Sequence, residues 1–509
     1  MLKRNRVNVD STGLLIPVRA EPVEAFRQAQ GERRLDFYTP VFIAVCALFI
    51  SGCASLAAEY TRPAAPVAAQ FPGATGSAAG ATTAASDIEW QSFFTDPKLK
   101  QLIEAALQNN RDLRIAVLNI EHARAQFDIR RADPFPTVGA AVSASRQPNP
   151  APANGAGRIS SVYSAGLAIT AYEFDFFGRV ASLKDAALAQ YLATEEGRKT
   201  AQISLIASVA NTYLGLLADD ELLLITQQTL ATRQASFRLA KLRFDSGVAS
   251  ELDVRSSESL LEAANTALAQ QTRQRALSEN ALTLLVGQSA GTALAGKGTS
   301  FANTTLQDIP AGLPSDLLMR RPDIRQAEQQ LMAANANIGA ARAAFFPRIS
   351  LTASAGTASS RLAGLFQSGT WGWTLAPQLL LPIFDAGRNR AGLASSKAAE
   401  GIAVATYEKS IQIAFREVSD ALAGRATYAE QLRASQTQAN AEAVRLRLAD
   451  LRFQNGVASQ LDQLDAQRSL FAARQAVVQT RLAQLQSQVT LYKVLGGGLK
   501  DKAVADLVP

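Results

Sequence analysis

The chain is a duplicated unit, and this duplication limits its possible folds more than any other sequence feature. The block LRFDSGVASELD at 242–253 returns as LRFQNGVASQLD at 451–462, an offset of 209 residues. Three earlier blocks, NRDLRIA, RADPFP and FDFFGR, return in the same order as RPDIRQA, RAAFFP and FDAGR. Chance similarity between alanine-rich helices would not preserve both order and spacing. The sequence therefore predicts two copies of one structural unit.

Each unit is predicted to begin with a helix and two strands. The helix ends at a Phe-Pro pair, because the residue before a proline is pushed out of the α region. The extended runs alternate at short period, as strands do, and their connectors are rich in Pro, Asn, Gly and Ser. The predicted bounds are helix 112–133, strands 137–146 and 163–174 and connector 147–160 in the first unit, and helix 323–344, strands 349–354 and 370–383 and connector 355–369 in the second. Pro377 and Pro382 indicate that the last strand leaves the sheet by its lower end.

Almost 70 residues of helical pattern follow the strands of each unit. Apolar residues recur every three or four positions, and at 1.5 Å per residue such a helix reaches roughly 100 Å. That length exceeds a compact domain and is typical of coiled-coil-like packing. Gly247 and Gly456 then break the helix in a tight turn. The predicted long helices are 179–246 and 388–455, and the return helices are 250–286 and 459–494.

Four short strands cannot close a barrel within one chain. Three chains supply twelve strands, and closure removes the unpaired edges. Strands that cross a membrane need about 9–11 residues, which these runs match. The residues therefore predict an α+β membrane protein in which three chains together could close one 12-strand barrel.

The start of the chain is predicted to be a signal peptide that directs secretion. Val41 to Ile50 is an apolar run of ten residues, too short to span a bilayer but typical of a secretory signal. It ends in Ile50-Ser51-Gly52-Cys53, which resembles a bacterial lipobox, so Cys53 is expected to carry the lipid. The alternative is a buried cysteine behind a short core strand.

The remaining segments follow from composition. Residues 61–86 are nearly all Ala, Pro, Gly, Thr, Ser and Val, which cannot bury a core, so the fold is expected to begin near Trp90. The predicted organisation is signal peptide 1–52, lipid-anchored tether 53–89, first repeat 90–300, second repeat 301–499 and tail 500–509.

Several kinds of chemistry are excluded at this point. Two cysteines and one histidine rule out a disulfide framework, a Cys/His zinc site and a triad with a spare histidine. A net charge of +7, scattered along the chain, is too mild for a nucleic-acid footprint. Residues 291–298 nearly form a phosphate loop, but Gly298 stands where magnesium needs Ser or Thr. His122 is interpreted as a surface or packing residue. Neither an enzyme nor a cofactor beyond the covalent lipid is expected.

Taken together, the sequence resembles the TolC/OprM-type outer-membrane efflux factors, in the lipoprotein branch that serves drug-efflux pumps. The resemblance is carried by Trp90 with Phe93, Phe94 and Asp96, Leu102-Ile103 through Asn119, Arg320-Arg321-Pro322-Asp323-Ile324, Ala343 through Ser350, Phe384-Asp385-Ala386-Gly387-Arg388, Leu461 through Leu470, and LYKVLGGGL at 491–499. It implies a homotrimer with a 12-strand β-barrel in outer-membrane lipid (four strands per chain), continued by a long periplasmic α-helical barrel. It also implies that this trimer conducts substrates delivered by a periplasmic adaptor and an inner-membrane efflux transporter.

The resemblance also implies a constriction at the helix tips. Acidic residues that match Asp462 and Asp465 ring the closed aperture in the family, and a leucine that matches Leu461 narrows it. Asp253 is the equivalent of Asp462 in the first repeat, which has Ser256 in place of the second carboxylate. The alternative is that these carboxylates only stabilise the first turn of a helix.

Trp371 and Trp373 are expected on one strand face, either in an aromatic belt at the membrane interface or packed inside the barrel rim. Within the same fold, a duct for type I protein secretion is the other conducting function. A non-conducting structural coiled coil is the remaining alternative, but such a rod has no need of four strand-length runs.

Overall fold

The duplication is visible in the order of elements in a computed structural model of the chain. The structure describes residues 56–68, 71, 88–149, 158–289, 300–309 and 320–498. The predicted signal peptide, Cys53, the tail and the near phosphate loop with Gly298 lie outside these residues. All described residues belong to one compact unit, Ser55–Pro509.

The described residues form helices and strands in two matching series. Their bounds are α1 (Trp90–Phe93), α2 (Pro97–Asn109), α3 (Arg111–Ala132), β1 (Val138–Asn149), β2 (Arg158–Phe174), α4 (Arg179–Asp245), α5 (Glu251–Val286), α6 (Pro322–Ala343), β3 (Arg348–Ser359), β4 (Trp371–Leu380), α7 (Arg388–Gln454) and α8 (Gln460–Val494). Each of the six predicted helices begins and ends within one residue of its predicted bound. The two long helices, α4 and α7, both have 67 residues.

The repeated Phe-Asp motif supplies the caps of the two long helices. Gly178 and Gly387 precede the helices with φ of 69° and 87°, and neither offers a side chain as a cap. Instead, Asp175 Oδ2 accepts a hydrogen bond from Ala181 N at 2.7 Å, and Asp385 Oδ2 accepts one from Asn389 N at 2.8 Å. These carboxylates satisfy amide groups that the helix itself leaves unpaired.

The repeated GVAS motif builds the two turns at the far ends of the long helices, here called the tips. Gly247 and Gly456 both have φ of 74°, a left-handed conformation that glycine adopts without strain. Ser250 and Ser459 then cap α5 and α8 in capping boxes. The best-preserved block of the duplication is therefore explained by turn and cap chemistry.

The four strands form one antiparallel sheet in the order β1-β2-β3-β4. They extend further into the connectors than the sequence predicts, because Gln147 pairs with Ser160 and Asn149 with Arg158. The ends of the predicted connector 147–160, which includes Pro148, and the start of 355–369 thus continue the ladder instead of forming loops. Pro148 is accommodated because β1 is an edge strand of this sheet.

The last strand leaves the sheet by its lower end as predicted, between Leu380 and Pro382, but Pro377 does not interrupt it. Pro377 lies within β4 and pairs with Leu351, and pairing continues to Leu380, just before Pro382. A proline can sit there because β4 is the other edge strand, where a missing N–H leaves no partner in the chain unpaired.

The buried core lies where α1, α2 and the middle of α4 meet the end of α8. Phe93 stacks on Tyr492 with ring centroids 4.1 Å apart, and Trp90 is 1% exposed. An 18-residue stretch of α4 is apolar enough to cross a membrane by composition, yet much of it is buried against other helices. Its apolarity therefore belongs to this core.

The segment predicted as a tether is partly ordered on the helices. Residues 56–62 contact α6, and Phe71 is 4% exposed and stacks on Phe415 at 5.1 Å. Composition missed this because a few anchoring side chains lie among many small residues. The fold begins before Trp90.

Candidate functional site: a two-faced sheet and two helix tips

The sheet has two chemically different faces. Directly opposed residues in an antiparallel pair share a face, so the pairing register assigns every side chain. The apolar face of its central part carries Val138, Ala140, Val142, Leu167, Ile169, Ala353, Ala355, Trp371, Trp373 and Leu375. The small-residue face carries Gly139, Ala141, Ser143, Ser164, Gly166, Ala168, Ser354, Gly356, Ala358, Gly372 and Thr374. This alternation is that of a strand with lipid on one side and water on the other.

Trp371 and Trp373 lie on the apolar face, as expected from their spacing, and each is 68% exposed. Trp371 pairs with Thr357, at the end of β4 remote from α7. Exposed tryptophans at one end of an apolar strand face fit an interfacial belt. Their place in such a belt stays a prediction.

The small-residue face brings two strands unusually close at one row. Gly166 pairs with Gly356, and a Cβ added to Gly356 would lie 2.3 Å from the carbonyl oxygen of Ala165. One row above, the hydroxyl oxygens of Ser143 and Ser164 lie 2.7 Å apart. Only glycine fits at the paired positions.

A charged cluster joins the sheet to the first long helix. The Glu173 carboxylate accepts hydrogen bonds from Arg179 Nε and Nη2, both at 2.7 Å. Arg348 Nε lies 2.6 Å from the same carboxylate, whose side chain is only 10% exposed. Glu173 thereby connects the end of β2, the start of β3 and the start of α4. Sequence reasoning did not find this cluster, since its members lie on three elements.

At the α8 tip, Leu461 is exposed at 68% and Asp462 is exposed beside it. The Asp462 Oδ2 atom accepts hydrogen bonds from Ser459 N at 3.2 Å and from Ser459 Oγ at 3.0 Å. Asp253 receives the same two bonds from Ser250, at 3.1 and 2.8 Å. Both aspartates are thus helix caps within the chain, and their position around an aperture stays a prediction.

Asp465 differs from Asp462 in having two arginine partners. Arg445 Nη2 donates to Asp465 Oδ2 at 2.6 Å, and Arg468 contacts the other carboxylate oxygen. The hydrogen bond from Arg445, with the positive charge of both arginines, holds the pKa of Asp465 below its usual range. We call these three residues the tip clasp; it joins α7 to α8.

The tip clasp is present in only one of the two repeats. The 209-residue offset places Ser236, Ser256 and Ser259 at the positions of Arg445, Asp465 and Arg468. The partner Arg445 was missed from sequence, although hairpin geometry about Gly456 could have found it, since the two residues lie eleven before and nine after that turn. Arg468 is three residues from Asp465 on the same helix, so its contact with Asp465 could be predicted from the spacing.

Other candidates remain isolated. His122 is exposed on α3, as expected. Among the residues that the structure describes, no group of three or more His, Cys, Asp or Glu side chains could hold a metal ion. Cys53 lies outside them, so its lipidation stays a prediction.

Comparison with known proteins agrees with this geometry. A family model described as "Outer membrane efflux protein" matches residues 102–288 and 313–497, one segment in each repeat. The chain is 49% identical over 460 residues to the toluene efflux pump outer membrane protein TtgC of Pseudomonas putida, with 90% of this chain and 95% of that protein covered. The antibiotic efflux pump outer membrane protein ArpC of Pseudomonas putida matches with the same identity and coverage. The solved open state of the MtrE outer membrane channel of Neisseria gonorrhoeae is 38% identical, with a TM-score of 0.78 over 88% of this chain and 99% of that one.

Proposed function

The chain belongs to the outer membrane efflux protein family, and on this premise we propose that three copies form the outer-membrane channel of a tripartite system that exports small molecules. The observation that carries the proposal is the four-stranded sheet with an apolar face, a small-residue face and two edges, β1 and β4, that have no partner strand among the residues that the structure describes. Unpaired edges in lipid cost several kcal/mol for each unsatisfied backbone group, so the sheet must be completed by other copies.

The duplication indicates how the copies meet. Within the chain, β2 pairs with β3, and α6 packs against both long helices. The first-repeat equivalent α3 packs against α4, and its Ile115, Leu118 and Ile129 are each at least 50% exposed. If β4 of one copy pairs with β1 of a second copy, then α3 of the second copy lies beside α7 of the first copy. The contact between two copies then has the same arrangement as the contact between the two repeats within one chain.

The tips support docking of a periplasmic adaptor, which would connect the channel to an inner-membrane transporter. Val248 and Leu252 are 66% and 75% exposed at one tip, and Val457 and Leu461 are 65% and 68% exposed at the other. A trimer would present six nearly equivalent apolar tips. Exposed apolar groups repeated in this way are typical of an interaction surface.

The exported compounds are proposed to be apolar small molecules, by analogy with relatives named for toluene and antibiotic efflux. These names favour small-molecule export over type I protein secretion. The test is export from a bacterial strain that lacks its own outer-membrane efflux channel, supplied with this chain and with a cognate adaptor and transporter. Dye accumulation should fall, and the double substitution Val248→Asp with Val457→Asp should abolish that fall while the trimer still assembles. Unchanged accumulation with an assembled wild-type trimer would contradict the proposal.

We further propose that Cys53 is lipidated and holds the channel in the outer membrane. The support is the lipobox-like sequence and the position of Leu56, three residues later, whose carbonyl oxygen accepts a hydrogen bond from Arg342 at 2.9 Å. Mass spectrometry of the mature N-terminus should show an acylated Cys53. An unmodified Cys53 would exclude the anchor, but Cys53→Ser need not prevent assembly, because the barrel itself lies in the membrane.

For the closed state, we propose that Leu461, Asp462, Asp465 and Asp253 lie near the aperture and that the tip clasp holds α7 and α8 together there. Rings of carboxylates favour cations in narrow channels. Asp465 is neutralised by two arginines, whereas Asp462 and Asp253 accept hydrogen bonds from their cap serines. Asp462 and Asp253 are therefore the carboxylates with charge left to act on ions.

A further inference from the structure

One face of α6 is occupied by the start of the described chain. Glu328, Asn335 and Arg342 are spaced seven residues apart, two helical turns each, and therefore lie on one side of the helix. Residues 56–62 run along this side in the opposite direction to α6. We call residues 56–62 the strap, and the face of α6 that bears Glu328, Asn335, Gly339 and Arg342 the track.

Three polar side chains of the track hold the strap. Arg62 donates to Glu328 from Nε at 2.6 Å and from Nη2 at 2.9 Å, and the Tyr60 hydroxyl donates to the same carboxylate at 3.2 Å. Asn335 Nδ2 donates to the carbonyl oxygen of Ala58 at 2.9 Å. The last contact of the series is the Arg342 bond to the Leu56 carbonyl oxygen.

The contact with Glu328 is the strongest of these by geometry. The Glu328 side chain is 6% exposed, so its charge needs a partner, and the forked guanidinium of Arg62 supplies two parallel bonds. Burial, followed by the negative charge of Glu328, raises the pKa of Tyr60 to about 12, so its hydroxyl stays a donor at neutral pH.

Gly339 makes the track specific in shape as well as in polarity. A Cβ added there would lie 2.6 Å from Ser182 Oγ, 2.8 Å from Ala57 Cβ and 2.9 Å from Ala57 N. Three segments, α6, α4 and the strap, therefore meet at a point where a side chain cannot fit.

The duplicated helix α3 provides an internal control. The blocks that flank α3 and α6 align without a gap at an offset of 211 residues, which places Val117, Arg124 and Asp128 where α6 has Glu328, Asn335 and Gly339. Two of these positions cannot do the work of their counterparts: Val117 has no charge for Arg62, and Asp128 has the side chain that Gly339 must lack. Arg342 has its equivalent in Arg131. The paired charge and the glycine notch of the track therefore belong to the second repeat alone.

We infer that the track is a receptor for the strap, built to hold residues 56–62 in one register and so to fix the point at which the N-terminal end leaves the helices of each protomer. Glu328, Asn335, Gly339 and Arg342 are its positioning residues. The consequence for the membrane rests on the proposed lipid anchor: each lipid would be attached beside the intramolecular α4–α6 seam and not beside the seam between copies.

The experiment uses the single glutamate of the strap, Glu59, which is exposed. A protease that cleaves after glutamate should cut the purified, full-length wild-type trimer at Glu59 slowly, since the docked strap must first detach. Both Glu328→Gln and Arg62→Gln should accelerate this cut about tenfold, the loss expected for a charge-assisted contact. Glu400→Gln, at a half-buried position on α7, is the matched control and should leave the rate unchanged. Arg62→Gln changes no residue of α6, so the cleavage rate of this variant measures the loss of the contact even if Glu328→Gln folds poorly.

Register is tested by exchanging the two charges, with aspartate in the strap so that Glu59 stays its single glutamate. Arg62→Asp and Glu328→Arg should each accelerate the cut, and the combination should restore slow cleavage. Equal rates in wild type, Glu328→Gln and Arg62→Gln would overturn the inference, as would a charge exchange that is no slower than its single variants.

The same variants in a Cys53→Ser background distinguish the effect of the track on the cleavage rate from the effect of the lipid. The rate differences should persist there, because the contacts involve only residues 56–62 and α6. Differences that vanish without the lipid would mean that the membrane, not the track, holds the strap. A released N-terminal peptide without acyl chains, from the chain that retains Cys53, would count against the proposed anchor alone.

Discussion

Ser250 and Ser459 cap their helices with the same bonds, yet the residues around them differ between the repeats. Asp253 and Asp462 complete two matching capping boxes, whereas the tip clasp of Arg445, Asp465 and Arg468 has three serines as its counterpart. Asp253 and Asp462 therefore have the same bonds within their helices, whereas Asp465 has arginine partners that its counterpart Ser256 lacks. Variants of these residues can distinguish an effect on helix capping from an effect on charge near the aperture.

The first prediction uses this pair of caps. Asp462→Ala and Asp253→Ala should each cost about 1 kcal/mol of helix stability through the lost cap. Both variants should also reduce the cation selectivity of the closed channel, because neither carboxylate is neutralised by an arginine of the tip clasp. Reversal potentials of purified trimers in planar bilayers measure this. A reversal potential that is unchanged in both variants would reduce the two aspartates to members of capping boxes.

The second prediction concerns acid. The pKa of Asp465 is lowered in the folded chain by the arginines of the tip clasp. A lowered pKa means that the stabilisation is complete above the unfolded value of about 3.9 and is lost as pH falls through the lower folded value. The closed-state conductance should therefore be constant from pH 7 to about 4 and rise below that, and Asp465→Asn should be high throughout. A rise centred near pH 6 would assign the change to another group.

At this scale the sequence located Asp462, Asp465 and Leu461 at a helix tip but not the partner Arg445. Spacing along one helix is readable from a 3.6-residue period, whereas contacts between two helices depend on how their turns set the register.

At the scale of elements, helices were predictable and strands less so. Glycine in the left-handed region, a capping serine and the Phe-Pro stop each fix a helix end by local chemistry, which is why predicted bounds hold within one residue. Strand ends depend on the partner strand, so the polar residues of 147–149 could not be assigned until Arg158 and Ser160 were seen opposite them. The effect of Pro377 was misjudged for the same reason. A proline destabilises a strand only where a neighbouring strand needs the N–H group that proline lacks.

The third prediction tests the close approach of β2 and β3. Gly356→Ala should reduce trimer yield and lower stability by about 1–3 kcal/mol, because the new Cβ meets the Ala165 carbonyl oxygen. Gly139→Ala is the control and should assemble normally, because a Cβ at this position on the same face would meet no atom of the described residues within 4 Å. Native gels of membrane extracts measure the yield. Equal yields from both variants would show that the row is not sterically limited.

For the whole molecule, the duplication and the family resemblance anticipated the architecture, while the ordered strap was not anticipated. Its few anchoring residues, Tyr60 and Arg62 among them, are diluted by alanine and proline, and their partner Glu328 is 266 residues from Arg62. No local pattern signals a contact over that separation.

The fourth prediction is that the protein stays trimeric in mild detergent. Each copy has two open strand edges, so separation would leave two ladders of backbone groups unsatisfied in the detergent core. Native mass spectrometry should give three chains in each particle. A monomer that keeps its β circular dichroism signal would contradict the closed barrel.

The equal length of α4 and α7 restricts how genes for such chains can gain or lose codons. Deleting one residue from either helix would shift the part of the helix beyond the deletion by 1.5 Å along the axis and rotate it by about 100°. The apolar stripe of that part would then face the wrong neighbouring helices. Seven residues, by contrast, return the stripe to within about 20° of its former direction. Tolerated changes should then be compound events, about seven codons at a time, matched in the outgoing and returning helix of a hairpin and again in the other repeat. The reach of the channel away from the membrane would consequently evolve in discrete increments, not by gradual drift.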